Sequence, residues 1–186
     1  MRIIGLFFSV LLGCCPLLSY AKVSGHNSIF IGSKYMDRED WGQGSLDQSI
    51  EYGTKFELFD DKQPGFNLVF YYLTSSKSES GVGEASVEEF RFGLGKRIQI
   101  RPSNPLLEFD LLLGAGPARV KASLELVDST HRELDAQDMG VWGGISATKV
   151  FFNYMLVGVD LSASEVQIDG ISAGGKRIGL LLGVAW

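Results

Sequence analysis

Apolar and polar residues alternate with a period of two along most of this chain. Ile50, Tyr52, Thr54, Phe56 and Leu58 alternate with Glu51, Gly53, Lys55 and Glu57. Phe90, Phe92 and Leu94 alternate with Glu89, Arg91, Gly93 and Gly95; Leu107, Phe109, Leu111 and Leu113 with Glu108, Asp110, Leu112 and Gly114; Met155, Val157, Val159 and Leu161 with Tyr154, Leu156, Gly158 and Asp160. Successive side chains of a strand point to opposite faces, so this period predicts strands. Eight segments carry it, at about 27–36, 47–59, 66–75, 86–99, 106–117, 138–149, 153–163 and 174–186. The first, third and sixth are less regular. Pro64, Pro102 and Pro105 fall between segments, where a missing ladder donor does no harm. Pro117 is the exception. Beyond it Val120, Ala122, Leu124 and Leu126 continue the alternation on the other parity, which predicts a bulge at Gly116-Pro117. Residues 118–137 then read either as a strand hairpin or as a short helix.

The two faces differ in kind. In the last segment Ile178, Leu180, Leu182, Val184 and Trp186 share one face, while Gly179, Leu181, Gly183 and Ala185 share the other. Elsewhere charge and glycine occur together on one face. The opposite face carries the large apolar groups, among them Tyr35, Tyr52, Phe56, Tyr72 and Trp186. A tight polar interior and an apolar exterior with aromatics near strand ends suit a barrel that faces lipid. A soluble lipocalin-type barrel is the alternative; it would turn the aromatic face inward. Connections after the second, fourth and sixth segments are short (60–65, 100–105, 150–152), and those after the odd segments are longer and more polar (37–46 and 76–85, for example). Alternating short turns and long loops, with an even strand count, predict an up-and-down barrel with both termini on the periplasmic side.

The start of the chain reads as a secretory leader over residues 1–21. Arg2 supplies the positive region, Ile3 to Leu12 the short apolar core, and Ser19-Tyr20-Ala21 a small-x-small cleavage site. Leu11-Leu12-Gly13-Cys14 also fits a lipoprotein box, but the residues after Cys14 stay apolar through Leu18. Both cysteines, Cys14 and Cys15, lie in the leader, so cleavage after Ala21 leaves a mature domain, 22–186, without thiol chemistry. Loss of Arg2 takes the formal charge from −5 to −6, and this mild acidity argues against a nucleic-acid partner.

Taken together, the terminal segment Gly179 to Trp186 and the glycine-rich Leu113-Gly114-Ala115-Gly116 resemble the eight-stranded outer-membrane barrel superfamily, which includes the OmpA transmembrane domain and the OmpX/Ail-like proteins. The resemblance is one of pattern and covers the mature chain. It implies an all-β, eight-stranded antiparallel up-and-down transmembrane barrel in a Gram-negative outer membrane. It also implies that Ile178, Leu180, Leu182, Val184 and Trp186 form the signal read by the barrel-assembly machinery, and that no peptidoglycan-binding half follows. Expected partners are outer-membrane lipid, that machinery and an unidentified extracellular ligand; a monomer without cofactor is expected.

Three groups of residues are candidates for function. The inward charges Glu51, Glu57, Glu89, Glu108, Asp110 and Asp160 would face Lys55, Arg91, Arg97 and Arg177, either as a salt-bridge plug or as the lining of a small gated pore. The two histidines are separate: His26 is expected before the first strand, and His131 in the third external loop beside Asp128, Ser129, Thr130 and Glu133. That cluster has the residue types of a lipid hydrolase, but a solvated loop is the favoured account, and two separated histidines give no metal-ligand spacing. In the loops, Asp37, Arg38, Glu39 and Asp40 surround Trp41, an aromatic suited to anchor a ligand, and Ser75 to Ser80 reads as a flexible tip. The reading that follows is a non-enzymatic structural or surface-interaction protein, with a solute or ion pore second and a lipid-modifying enzyme third.

Overall fold

The computed structural model describes residues 23–36, 48–60, 65–79, 83–100, 107–125, 131–168 and 170–186. The leader 1–21, and with it both cysteines, lies outside the described residues. Eight long strands form a closed antiparallel barrel: β1 (Val23–Tyr35), β2 (Gln48–Asp60), β3 (Phe66–Glu79), β4 (Gly83–Ile100), β5 (Leu107–Glu125), β6 (His131–Phe151), β7 (Met155–Glu165) and β10 (Gly175–Ala185). Two short strands, β8 (Gln167–Ile168) and β9 (Ile171–Ser172), pair with each other inside the connection from β7 to β10. Every long strand pairs with its neighbours in this sequence, and β10 closes on β1 from His26↔Ala185 to Tyr35↔Lys176. Two further bonds fix the seam: Gly25 N–H donates to the Trp186 carbonyl over 2.9 Å, and Trp186 N–H donates to the Gly25 carbonyl over 3.0 Å. The turn between β6 and β7 is tight. Phe152 and Asn153 both have positive φ (52° and 66°), as a twist-matched hairpin turn requires.

The wall inverts its polarity along its height. On β4 the outward positions run Glu84, Ser86, Glu88 and then Phe90, Phe92, Leu94; the inward ones run Ala85, Val87 and then Glu89, Arg91. On β5 the outward run Leu111, Leu113 gives way to Arg119, Lys121, Ser123, and inward Asp110 to Ala118, Val120, Ala122. On β6, outward Glu133, Asp135 and Gln137 precede Met139 and Val141. One part of the wall therefore has apolar groups outside and ions inside, and the part toward the long loops has the reverse. The second pattern is what water imposes, since apolar surface is driven inward there. The first is what an apolar surround permits.

This inversion corrects two expectations. The bulge at Gly116-Pro117 is absent. Pairing keeps one register on both sides of Pro117, with Glu89↔Ala118 and Phe92↔Ala115 toward β4 and an unbroken ladder through Pro117↔Met139 toward β6. Val120 and Ala122 do not change face; the inward face itself becomes apolar. The described parts of two of the expected long loops are also strand, while 37–46 lies outside the described residues. Of the two readings of 118–137, the described residues take the hairpin. Residues 76–79 and 83–85 are strand, and Ser75, expected in a flexible tip, is buried and faces inward.

Beyond the ions the interior is roofed. The strap 166–174, which turns at Gly170 (φ 80°), tucks into the mouth. Its Val166, Ile168 and Ala173 are buried against Met36 and the inward Ala85, Val87, Ala118, Val120 and Ala122. Each fully buried residue of valine or isoleucine size contributes about 1.5–3 kcal/mol. Deeper in the barrel, Phe30, Val69, Tyr71, Leu73, Leu112, Trp142, Leu156 and Leu181 form a second apolar cluster.

Candidate functional site: the charged interior and the loop-end face

Strand alternation places Glu51, Lys55, Glu57, Glu89, Arg91, Arg97, Glu108, Asp110, Asp160 and Arg177 on the inner wall, all buried. Two more basic side chains join them. Lys34 on β1 is fully buried. His26, expected ahead of the first strand, lies within β1 and points inward. Among the described residues five buried cations thus face six buried carboxylates, with His26 as a further basic group.

The ion pairs fall into two clusters. Toward the loops, Glu89 is the hub. It accepts from Lys34 Nζ at 2.8 Å, from Arg91 Nε at 3.0 Å and from Arg177 Nη2, while Arg177 Nε also donates to Glu51 over 2.6 Å. Lys34 Nζ donates as well to the Ala173 carbonyl at 2.8 Å, which ties the strap to this cluster. Toward the short turns, Arg97 is the hub. Its Nε donates to Asp110 Oδ1 over 2.8 Å and its Nη2 to Glu57 Oε2 over 3.1 Å, with Nη1 3.3 Å from Glu108 Oε2. Lys55 Nζ lies 2.9 Å from Glu57 Oε1. The His26 ring fits between two carboxylates, Nδ1 3.2 Å from Glu57 and Nε2 3.7 Å from Glu108, and meets Phe59 edge-on.

An aromatic pair stands between the clusters. The Arg91 guanidinium lies over the Trp142 ring at 5.3 Å, Trp142 meets Tyr71 edge-on at 5.4 Å, and Lys55 Nζ lies 5.4 Å from the Tyr71 centroid. The Tyr71 hydroxyl donates to Asp160 over 2.7 Å, across the interior from β3 to β7. Pairing and hydrogen bonding are what allow so many charges to be buried in a narrow space.

Sequence reasoning places His26 ahead of the barrel and does not mark Lys34, Tyr71 or Trp142. Tyr71 and Trp142 carry no inward signal in a pattern whose large aromatics belong to the outer face. The signal for Lys34 was its parity with Ser28 and Phe30 on the less regular first segment.

The outer face at the loop end forms aligned rungs. Ser76, Ser86, Lys121 and Asp135 pair across β3 to β6, and Ser78, Glu84, Ser123 and Glu133 form the next rung. They line an open depression of about 630 Å³. Arg119 grips Asp135 with two bonds of 2.7 Å. This salt-bridging hydrogen bond holds the Asp135 carboxyl below its ordinary value of 3.8 and raises the Arg119 guanidinium. Trp41 and residues 128–130 lie outside the described residues. His131 opens β6, and its side chain lies outside the description too, so the hydrolase-like cluster is not assembled among the described groups; Glu133 is exposed on the outer rungs. Of the terminal segment, Ile178, Leu180, Leu182, Val184 and Trp186 all point outward and are exposed.

No protein-family model and no curated protein matches the chain. Solved structures do. The attachment invasion locus protein Ail of Yersinia pestis, in complex with the heparin analogue sucrose octasulfate, superposes with a TM-score of 0.53 at 14% identity, over 88% of this chain and 99% of Ail. Ail without that ligand gives 0.51 at 12% identity, over 88% and 98%. The Yersinia pestis outer membrane protein Ail in a phospholipid bilayer nanodisc gives 0.48 at 12% identity, over 87% and 99%. The chain thus has the eight-stranded barrel fold of these outer-membrane proteins.

Proposed function

We propose that this chain spans the outer membrane as a closed, non-enzymatic barrel that carries a rigid surface platform on its loop side, with both termini in the periplasm. The observation that carries the reading is the inverted wall. Apolar side chains such as Leu113, Ile145 and Leu180 face out at one level, and charges and serines face out on the extended hairpins above it. A plug is favoured over a pore, because the apolar roof, two paired ion clusters and the Trp142–Tyr71 pair occupy the lumen in series. Neutralising one ion pair leaves the other layers in place. Eight strands enclose little more than their own side chains.

The platform's partner differs in charge from the polyanion with which Ail was crystallised. Glu84, Glu88, Glu133, Asp135 and Glu165 outnumber Arg119, Lys121 and Lys176 on the outward loop-end face of the described residues, which disfavours a sulfated ligand there. Trp41 stands as the loop residue to test as an anchor.

The test combines two measurements. In planar bilayers, wild type and Arg91→Gln or Glu108→Gln variants should show no steady conductance. In cells, shortening the β5–β6 hairpin or changing Trp41 to Ala should alter surface binding or envelope resistance while the barrel still folds. Stable channels in the wild type would replace the plug with a pore. A change in lipid A or phospholipid mass profile that depends on His131 would replace the non-enzymatic reading.

A further inference from the structure

We infer that His26 is a proton-operated link across the barrel interior, tying β1 and β2 to β5 when its ring carries two N–H groups and letting go of Glu108 when it carries one. β1 and β5 stand on opposite sides of the eight-strand barrel. The His26 ring spans from one toward the other. Nδ1 lies 3.2 Å from Glu57 Oε2, on the cross-strand partner in β2, and Nε2 lies 3.7 Å from Glu108 Oε2 on the far wall.

Both ring nitrogens therefore face a carboxylate oxygen. An imidazolium can donate from both, whereas a neutral ring has one N–H and turns a lone pair on its other nitrogen toward an acceptor. The shorter contact is at Nδ1, so the neutral ring keeps that N–H on Glu57 and presents a bare Nε2 to Glu108.

The surroundings favour a positive charge at this point. The charged groups of the cluster toward the short turns are Lys55 and Arg97 against Glu57, Glu108, Asp110 and Asp160. Over the interior as a whole, six buried carboxylates face five buried Lys and Arg side chains among the described residues, and a proton on His26 brings the two sides level. Glu108 is where cover is thinnest. Its Oε1 accepts from Gln99 Nε2 at 2.9 Å, but its buried Oε2 has no hydrogen bond among the described residues, because Arg97 Nη1, 3.3 Å away, is not aligned to donate. That oxygen is the one that faces His26 Nε2. The buried hydroxyl of Thr148, the cross-strand partner of Glu108, is likewise unpartnered among the described residues. Withdrawing the proton leaves an uncompensated buried negative charge beside Glu108, which water must then reach.

Phe59 carries the change to the end of the barrel. It is the penultimate residue of β2; its ring meets His26 edge-on at 5.0 Å and lies 4.1 Å from the Arg97 guanidinium. Histidine is the side chain whose charge ordinarily changes between about pH 5 and 8, so this arrangement makes the turn-side end of the interior a pH-sensitive closure.

The test is a double-mutant cycle of His26→Gln and Glu108→Gln, read from unfolding rates of the purified protein in micelles at about pH 5.5 and about pH 8.5, toward the two ends of that range. At the lower pH the two groups should be coupled by about tenfold in rate, the scale of one hydrogen bond to a charged group. At the higher pH the coupling should fall below about twofold. Nitrogen-15 NMR of the wild-type ring gives a second reading that needs no destabilised variant, with His131→Gln to separate the two histidine signals. Both His26 nitrogens should carry a proton at the lower pH. Nε2 should lose its proton at the higher pH, with the Glu108 carboxyl carbon moving in step. Coupling that is absent at the lower pH, coupling that is equal at both, or a ring that keeps one form across the range would overturn the link.

Discussion

Lys34 Nζ lies 2.8 Å from the Ala173 carbonyl and 2.8 Å from Glu89 Oε1, so one buried ammonium joins the strap in the barrel mouth to the ion cluster beneath it. Lys34→Met keeps the apolar stem and removes both bonds. Glu89 retains Arg91 and Arg177, so the cluster survives. Amide hydrogen exchange over residues 166–174 should accelerate roughly 10–100-fold, the scale of one charged hydrogen bond, with barrel amides unchanged. Unchanged exchange in the strap would mean that its apolar contacts alone hold it.

Arg97 is a different case, because three carboxylates depend on it. Arg97→Ala leaves the buried Asp110 carboxylate without its ion-pair partner and takes one cation from Glu108 and from Glu57, which keeps Lys55. Breaking such a pair costs about 3–5 kcal/mol. Arg97→Lys should recover only part of this, since an ammonium cannot reproduce the guanidinium's fork. Urea unfolding in micelles, followed by tryptophan fluorescence, reads both values.

Gly116 and Gly143 make opposite predictions on neighbouring strands. A Cβ at Gly116 would fall 1.8 Å from the Phe90 carbonyl, so Gly116→Ala must move backbone; Gly143→Ala has room. Gly116→Ala should destabilise by about 1–3 kcal/mol. Gly143→Ala should fall within about 0.5 kcal/mol of wild type in the same unfolding assay.

The outer Arg119–Asp135 pair gives a pH dependence of known sign. The Asp135 carboxyl is held below its ordinary value by its bonds to Arg119. Its contribution is therefore present above the ordinary aspartate range and is lost as pH falls through the lowered folded value. The pair is exposed, so the effect on stability is small. Carbon-13 NMR should show Asp135 titrating below 3.8 in the wild type and moving upward in Arg119→Gln.

Much of this molecule is legible in its residues because the period-two signal and the face chemistry agree. Glu51, Lys55, Glu57, Glu89 and Arg91 lie at inward parities in segments whose other face is apolar, and all are buried. The reading weakens where those rules change. On β1 the inward face mixes His26, Ser28, Phe30 and Lys34, so no single polarity marks either its start or its buried charge. Past Pro117 the inward face turns apolar as the wall leaves the apolar surround, and in the sequence that change of face chemistry is indistinguishable from a shift of parity at a bulge. In the strap, Val166 and Ile168 alternate with Glu165 and Gln167 over too short a stretch to predict a strand; only the closed barrel supplies the mouth that they and Ala173 fill.

The central claim is a closed barrel whose apolar wall faces lipid. The most direct test is electrophoresis of the outer-membrane fraction with and without boiling. The account predicts that the protein is found in that fraction and migrates faster unboiled, shifting to its full apparent mass on heating. A protein recovered in the soluble periplasm with no shift would contradict it, and the outward Leu113, Ile145 and Leu180 would then have to be read as a surface covered by something other than lipid.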